Sequence, residues 1–139
     1  CTDVPPLLKN PLFLYSSDGF QKPYPFKADI IVSVDDVFDQ KVTAIHEMPS
    51  QHYEGGANGS KEHVKSVPPA GDVAARKAWL RERWERRQGG EANRFREALT
   101  HWYGEEKGKA VKFAEAFEIC EYGRQPRTEE IKVLFPFFP

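Results

Sequence analysis

Four histidines are the residues of this sequence best suited to bind a metal ion: His46, His52, His63 and His101. A zinc site needs three or four ligands that converge on one point, and two ligands on one helix usually stand four residues apart. His46 and His52 are six residues apart with Pro49 between them, and the other two lie in separate predicted elements. The spacing therefore predicts that none of the four binds a metal, and that this chain alone holds no cofactor.

Three further polar residues could line a pocket: Ser50, Gln51 and Glu115. Ser50 and Gln51 follow His46 at the predicted end of a helix, which is a common place for a pocket wall in α/β proteins. Their side chains could equally bond to the free carbonyl groups of that helix end. Residues 111–119 alternate as a strand does, which would put Glu115 among large apolar side chains, where a carboxylate must be paired or protonated. A helix, in which Glu115 faces solvent, is the alternative, and we favour the strand.

Other charged residues have simpler explanations. Asp35 and Asp36 fall in the first turn of a helix that Ser33 could cap, where the helix dipole favours acidic side chains. Six basic residues of segment 72–87 interleave with acidic ones, which is typical of a solvated helix face with ion pairs: Arg76, Lys77, Arg81, Arg83, Arg86 and Arg87. No nucleotide-binding glycine loop, paired-cysteine motif or nucleophile elbow is present.

The composition is that of an ordinary globular protein, with 40% hydrophobic and 29% charged residues and a formal net charge of -1. This balance indicates no general attraction to nucleic acid or to an acidic membrane surface. The sequence contains no apolar run of about 18 residues that could span a bilayer. For the location of the chain, a cytoplasmic one is slightly favoured, with a lipid-anchored Cys1 as the alternative.

Two cysteines stand at the ends of the chain, Cys1 and Cys120. Their number and placement favour two separate thiols, although a pair could form a disulfide. Because the chain begins with Cys1 and not Met, we expect it to be either processed to a lipid-anchored cysteine or cut from something longer.

The predicted elements form a small α/β fold of few strands and a helical hairpin, within 1–139 as one domain or part of one. The continuous apolar run at 30–32 suits a strand that is buried on both faces, as in a parallel sheet. Glycines at 89–90 separate two amphipathic helices, and a proline at 49 stops an earlier one. The predicted organisation is a strand–loop–strand–helix unit (1–53), a long loop (54–71), a helical hairpin (72–104), and a C-terminal strand and short helix (105–139).

Two stretches resemble PIG-L/LmbE-like deacetylases. The first, 20–54, has an aromatic and proline-rich segment, a strand, and a helix whose pattern ends in Ser-Gln. The matching residues are Asp36 or Asp39, Lys41, Ala44, His46, Ser50 and Gln51. The second, 96–123, is similar to the end of a subgroup of this family, with Ala-Glu-Ala-Phe at 114–117. The residues Glu47, Met48 and Pro49 depart from the family pattern by separating the histidine from Ser-Gln.

The resemblance implies that this chain is the C-terminal part of a Rossmann-like, zinc-dependent enzyme that removes N-acetyl groups from an N-acetylglucosamine-like sugar or related amide. The family's zinc ligands and general base belong to an N-terminal part that this sequence lacks, so zinc would be bound by the parent protein and the isolated chain would be inactive. His46, Ser50, Gln51 and Glu115 would then be pocket or substrate-side residues. A truncated enzyme of this kind is expected to self-associate through exposed apolar surface.

Two alternatives stand beside the deacetylase. In one, the chain is a non-catalytic binding or interaction module that uses the aromatic segment 20–26 and the helices of 72–103. In the other, it is a subunit that completes an active site on another chain.

Overall fold

The computed structural model describes residues 3–19, 21–56 and 59–139. Within this part the chain is mixed α/β, with seven α-helices and one three-stranded sheet. The strands are β1 (Leu14–Ser16), β2 (Ile30–Ser33) and β3 (Ala114–Ile119). The helices are α1 (Phe38–His46), α2 (Pro49–His52), α3 (Lys61–Ser66), α4 (Val73–Arg94), α5 (Arg96–Tyr103), α6 (Glu105–Ala110) and α7 (Thr128–Leu134).

The chain divides into two compact units. The first comprises 1–32, 95–110 and 115–139, and the second comprises 33–94 and 111–114. Among the described helices none is long and apolar enough to cross a membrane. Cys120 is a buried free cysteine, whereas Cys1 lies outside the described residues.

The sheet has the order β1-β3-β2. Strand β1 runs antiparallel to β3, with Leu14 opposite Ile119. The Asp29 N–H donates to the Phe117 carbonyl at 2.9 Å, and the Val34 N–H donates to the Phe113 carbonyl at 3.0 Å. Since the later residue of the β2 segment meets the earlier residue of β3, this pair is antiparallel as well. The prediction of a strand at 111–119 is confirmed, while the parallel pairing expected for 30–32 is wrong.

In the first unit, α5 and α6 pack at very short range. A Cβ atom added at Gly108 would lie 2.5 Å from the Thr100 Cα, so only glycine fits at this position. The Arg96 guanidinium donates to the Gly108 carbonyl at 2.9 Å. Trp102 at the end of α5 is buried, stacks on Phe138 with 4.9 Å between ring centroids, and donates its indole N–H to a backbone carbonyl.

The second unit is built around a core of six residues: Val34, Phe38, Val42, Ile45, Tyr53 and Leu80. The first four recur at the spacing of one helix face, but Val37, three residues after Val34, is 45% exposed. A short 3-10 helix (Asp35–Val37) precedes α1. Its Asp35 carboxylate accepts hydrogen bonds from the backbone N–H groups of Lys112 and Phe113. This carboxylate therefore ties the start of the helix to the segment before β3.

The predicted helical hairpin is not found as expected, because α4 continues through Gly89 and Gly90 to Arg94. A glycine in a helix costs only about 1 kcal/mol relative to alanine. The buried side of α4 extends across the glycines, with Gln88 before them and Ala92 after them. Packing along the helix therefore overrides the local break, and α5 begins only after Phe95.

Three smaller expectations also change. Pro49 does not merely stop a helix, since α1 ends at His46 and Pro49 is the first residue of α2, where proline is well tolerated. The expected loop 54–71 contains α3, whose first N–H groups include that of His63, bonded to the Ser60 hydroxyl at 3.1 Å. Ser33 accepts weakly from the Asp35 N–H at 3.5 Å and is not the helix cap.

Candidate functional site

An open cavity of about 440 Å³ lies in the second unit beside α2, α3 and α4. Its lining is cationic and aromatic: Gln51, His52, His63, Trp79, Leu80, Arg83, Trp84, Arg86 and Arg87. Most of these residues come from α4, where side chains three and four positions apart share one face. Helix α2 contributes Gln51 and His52, and α3 contributes His63.

Two guanidinium groups of the cavity rest on tryptophan rings. The Arg83 Cζ lies 4.7 Å from the centroid of Trp79, and the Arg87 Cζ lies 4.9 Å from the centroid of Trp84. Such cation–π contacts hold the charge in place without consuming the guanidinium hydrogen-bond donors. The two side chains are therefore positioned, and their N–H groups can still meet a ligand.

Hydrogen bonds fix the tautomer of His63. Its Nε2 lies 3.1 Å from the His52 carbonyl oxygen, and its Nδ1 lies 3.2 Å from the Arg83 Nη2. A carbonyl accepts and a guanidinium donates, so the ring carries its hydrogen on Nε2 and accepts at Nδ1. The His63 ring also stands edge-on to Trp79 at 5.4 Å. His63 therefore orients Arg83 toward one wall of the cavity.

Two of the three arginines that line the cavity, Arg83 and Arg87, form no ion pair within the described part of the chain. Arg81 pairs with Asp39 and Glu85, and Arg86 pairs with Glu82 at 3.6 Å. No carboxylate of a described residue lies within ion-pair distance of Arg83 or Arg87. The ion-paired face predicted for segment 72–87 is therefore confirmed for some of its arginines only.

Two neighbouring groups, Lys41 and His52, have pKa values that are lowered by burial and by the positive charge of Arg87. Burial, followed by the nearby Arg87 charge, lowers the pKa of Lys41 to about 8, and the Lys41 Nζ lies 4.8 Å above the Trp84 ring. Burial, then Arg87 and then His63, lower the pKa of His52 as well. Both shifts have the sign expected where a cation is added to a site that is already positive.

The structure brings only one of the predicted pocket residues to this cavity. Gln51 lines it, whereas Ser50, its exposed neighbour on α2, does not. His46 turns to the core, with its Nδ1 2.7 Å from the hydroxyl of buried Tyr53. Glu115 belongs to the first unit and is half-buried on β3, where the fully buried side of the strand carries alanines 114 and 116. Glu115 is therefore only half-buried, and the fully enclosed face of β3 is the opposite one.

Sequence reasoning missed His52 and His63 as lining residues. They lie 11 positions apart on different helices and meet only through the Nε2–carbonyl bond and their contacts with α4. A signal was nevertheless present on α4, where tryptophans at 79 and 84 alternate with arginines at 83 and 87. That spacing places each arginine three or four residues from a ring, which is the geometry of a cation–π pair on a helix.

The cavity does not fit a zinc ion. Within residues 3–19, 21–56 and 59–139 no three His, Cys, Asp or Glu side chains are grouped to hold a metal. Three arginines line the cavity, and their charges oppose a second cation at the same place. The arrangement instead favours an anion.

Removing the hydroxyl of Tyr53 should destabilise the second unit. The phenol hydrogen-bonds with His46 and donates to the Arg76 carbonyl at 3.4 Å, while burial raises the pKa of Tyr53 and keeps it protonated. We expect Tyr53→Phe to lower the free energy of unfolding by about 1 kcal/mol in urea, since a buried hydrogen bond is worth that much. Tyr122→Phe, at a site 78% exposed, is the control and should change nothing. Equal stability of both variants would contradict the assigned role of the Tyr53 hydroxyl.

Lys41 should make stability depend on pH. Its pKa of about 8 in the folded state lies below the ordinary 10.5, so between these values the unfolded chain binds more protons and stability rises with pH. At pH 7 the cost of burying the charge is fully present. We therefore expect Lys41→Met to be more stable than wild type at neutral pH, with the advantage shrinking as the pH rises toward 10 in urea titrations. Lys65→Met, at an exposed site, should show no such trend; an advantage of Lys41→Met that is constant with pH would contradict the shift.

Comparison of the chain with protein families, with curated proteins and with solved structures finds no match. The resemblance to PIG-L/LmbE-like deacetylases stays a prediction from the sequence. The functional assignment therefore depends on the cavity itself, whose residues, charges and contacts are those of a site for an anion.

Proposed function

We propose that this chain is a binding module whose second unit takes a small polyanion, bearing phosphate or carboxylate groups, in the cavity beside α2, α3 and α4. Two arginines carry the proposal. Arg83 and Arg87 stand one helical turn apart, each on a tryptophan ring, with no carboxylate partner among the described residues.

The guanidinium group suits this role better than any other cation. Its planar fork of donors matches the oxygens of a phosphate or carboxylate, and such charge-assisted hydrogen bonds are stronger than neutral ones. Side chains one turn apart on a helix have Cβ atoms about 6 Å apart, so Arg83 and Arg87 can hold one phosphate each of a diphosphate or share a single group. Because the tryptophan rings already restrict both arginines, less conformational entropy is lost when the ligand binds.

Two polar side chains beside the arginines can orient a bound anion by hydrogen bonds. Gln51 offers an amide that can donate and accept, and His52 offers an imidazole against the Trp84 ring at 5.9 Å. A bound anion favours the protonated form of His52, which opposes the lowering of its pKa by burial and by Arg87. The ligand should therefore bind more tightly as the pH falls through the range in which His52 titrates.

Calorimetric titration of the chain with inorganic pyrophosphate tests the proposal. We expect saturable binding with a dissociation constant between about 10 µM and 1 mM, weakening with added salt as exposed charges are screened. Glycerol, which carries no charge, should give no binding signal. Absence of a binding signal for pyrophosphate at about 10 mM would contradict the proposal.

We propose, as a second candidate, that the chain is the C-terminal part of a Rossmann-like deacetylase acting on an N-acetylated sugar or related amide. Gln51, from the Ser-Gln of the resemblance, lines the cavity, which supports a substrate-side role for that residue. The first unit also exposes several large apolar side chains, as expected where a neighbouring part of the protein is missing: Leu7, Leu8, Val133 and Phe137.

Reading the coding sequence upstream of the codon for Cys1 tests this second candidate. An in-frame segment with the family's His-Pro-Asp-Asp motif and a later histidine motif is the expected result. A start codon directly before Cys1 would contradict it. In the longer protein, Glu115→Gln should then lower turnover, and unchanged kinetics would contradict a supporting role for Glu115.

A further inference from the structure

A second cavity, of about 250 Å³, lies within the first unit. Its walls are aromatic and acidic: Tyr15, Asp18, Lys22, Pro23, Tyr24, Phe26, Glu118 and Glu121. Three carboxylates face one lysine in this lining, so its balance of charge is opposite to that of the arginine cavity. The polyanion site and this second cavity are independent of each other.

Two tyrosines in this lining are unusually exposed for large aromatic side chains. Tyr24 is 79% exposed and Tyr15 is 44% exposed, although large aromatic side chains gain most from burial. Tyr15 is nevertheless held on β1, where it lies opposite Glu118 of β3, and the neighbouring Cys120 side chain raises the pKa of its phenol to about 12. Phe26 is anchored edge-on to Phe95 at 6.0 Å. Two of the three rings are therefore fixed around the cavity.

Two carboxylates of this cavity, Glu118 and Glu121, have no cationic partner in the part of the chain that the structure describes. Glu118 accepts a hydrogen bond from the Lys27 backbone N–H at 3.3 Å. Among the described residues, no lysine, arginine or histidine lies within ion-pair distance of Glu118 or Glu121, and Lys22 forms no ion pair. The lining therefore presents negative charge to whatever enters.

We propose that this cavity, formed by Tyr15, Tyr24 and Phe26 with Glu118 and Glu121, binds an alkylated ammonium group. The negative faces of aromatic rings attract a cation, and this attraction is the basis on which proteins recognise quaternary ammonium groups. Methyl groups on the nitrogen bring apolar surface to the rings, while the carboxylates nearby balance the charge. A primary ammonium is more strongly hydrated and gains less from the ring faces.

Choline and its neutral isostere 3,3-dimethyl-1-butanol separate charge from shape. In a titration followed by proton–nitrogen correlation spectra, choline should shift the backbone signals of residues 15, 24, 26, 118 and 121. The neutral compound should bind at least about fivefold more weakly, the factor that a cation–π contribution of about 1 kcal/mol gives. Equal binding of the two compounds, or no shift of these signals by choline, would overturn the proposal.

Variants at solvent-exposed positions test the site without disturbing the fold. Because Tyr24 is highly exposed, Tyr24→Ala should fold as wild type and bind choline about two- to fivefold more weakly. Glu121→Gln should weaken choline and leave the neutral compound unchanged. Tyr122→Ala removes an equally exposed ring, 78% exposed and outside the cavity lining, and should have no effect. A loss of choline affinity for Tyr122→Ala equal to that for Tyr24→Ala would overturn the assignment of the site. The amide of Nα-acetyl-lysine and its Nε-trimethylated form then compare a primary with a quaternary ammonium. Tighter binding of the unmethylated form would overturn the preference for alkylated groups.

Discussion

Replacing Arg87 by alanine is expected to weaken pyrophosphate binding by about 10- to 100-fold, because a hydrogen bond to a charged group contributes about 1.5–3 kcal/mol. Arg87 stands on the Trp84 ring at 4.9 Å and has no carboxylate partner in the described part of the chain. Its donors are therefore available to the ligand. Arg83→Ala should have a comparable effect, and the double variant should show no measurable binding.

The matched control is Lys77→Ala, which removes the same charge from the same helix but does not line the cavity. We expect it to change affinity less than threefold, since a charge outside the site acts only at a distance, where salt screens it. Arg87→Lys keeps the positive charge but lacks the planar set of guanidinium donors, so its affinity for pyrophosphate should lie between those of wild type and Arg87→Ala. Equal losses for Lys77→Ala and Arg87→Ala would mean that binding follows net charge alone, which would contradict a specific role for the Arg87 guanidinium.

Replacing Phe38 by alanine is expected to lower the free energy of unfolding by about 3–5 kcal/mol, the usual cost of deleting a buried phenylalanine side chain. Phe38 is 2% exposed and stacks on Phe113 with 4.1 Å between ring centroids. The Arg81 Cζ lies 5.3 Å from the same ring. Deleting the ring leaves a cavity between α1 and the segment before β3, and removes a contact of the helix that carries the arginines.

Urea unfolding followed by circular dichroism measures this loss as a lower midpoint at unchanged slope. Val37→Ala is the control, because this neighbouring residue is 45% exposed and should cost less than about 1 kcal/mol. Similar midpoints for the two variants would mean that Phe38 is not part of the core of the second unit.

The sequence predicts the strongly periodic elements well. The apolar positions at 34, 38, 42 and 45 recur at helical spacing, and the structure buries all four. The alternation of 111–119 is read correctly as a strand, since β3 covers Ala114–Ile119. In both segments the local pattern and the tertiary environment demand the same conformation.

Prediction fails where tertiary packing opposes the local signal. Gly89 and Gly90 look like a helix end, but burial on both sides of them carries α4 to Arg94. In the apolar run at 30–32, Ile30 and Ile31 are fully enclosed as expected, whereas Val32 is only half-buried. Burial alone does not distinguish a parallel from an antiparallel neighbour, which is why the predicted pairing of β2 is wrong.

The candidate site is only partly visible in the sequence for a similar reason. The place of Gln51 at a predicted helix end is compatible with a pocket wall or with a bond to a free carbonyl, and the structure puts Gln51 in the cavity lining. In the sequence, the acidic residues of α4 alternate with its arginines, as if the charges of the helix were balanced. In the structure, Glu82 and Glu85 pair with Arg86 and Arg81, and no carboxylate of a described residue pairs with Arg83 or Arg87. Which arginine each glutamate selects depends on rotamers and neighbours, and a sequence pattern does not contain these.

The most direct test of the central claim is to observe the arginine side chains while pyrophosphate is added. In nitrogen-correlated spectra, the side-chain Nε–H signals of Arg83 and Arg87 and the indole N–H signal of Trp84 should shift together and saturate with one dissociation constant, because these groups share the cavity. The Arg81 signal should stay in place, since its guanidinium is engaged by Asp39 and Glu85. Unsaturable shifts spread over all arginines, or no shift at Arg83 and Arg87, would contradict a polyanion site in this cavity.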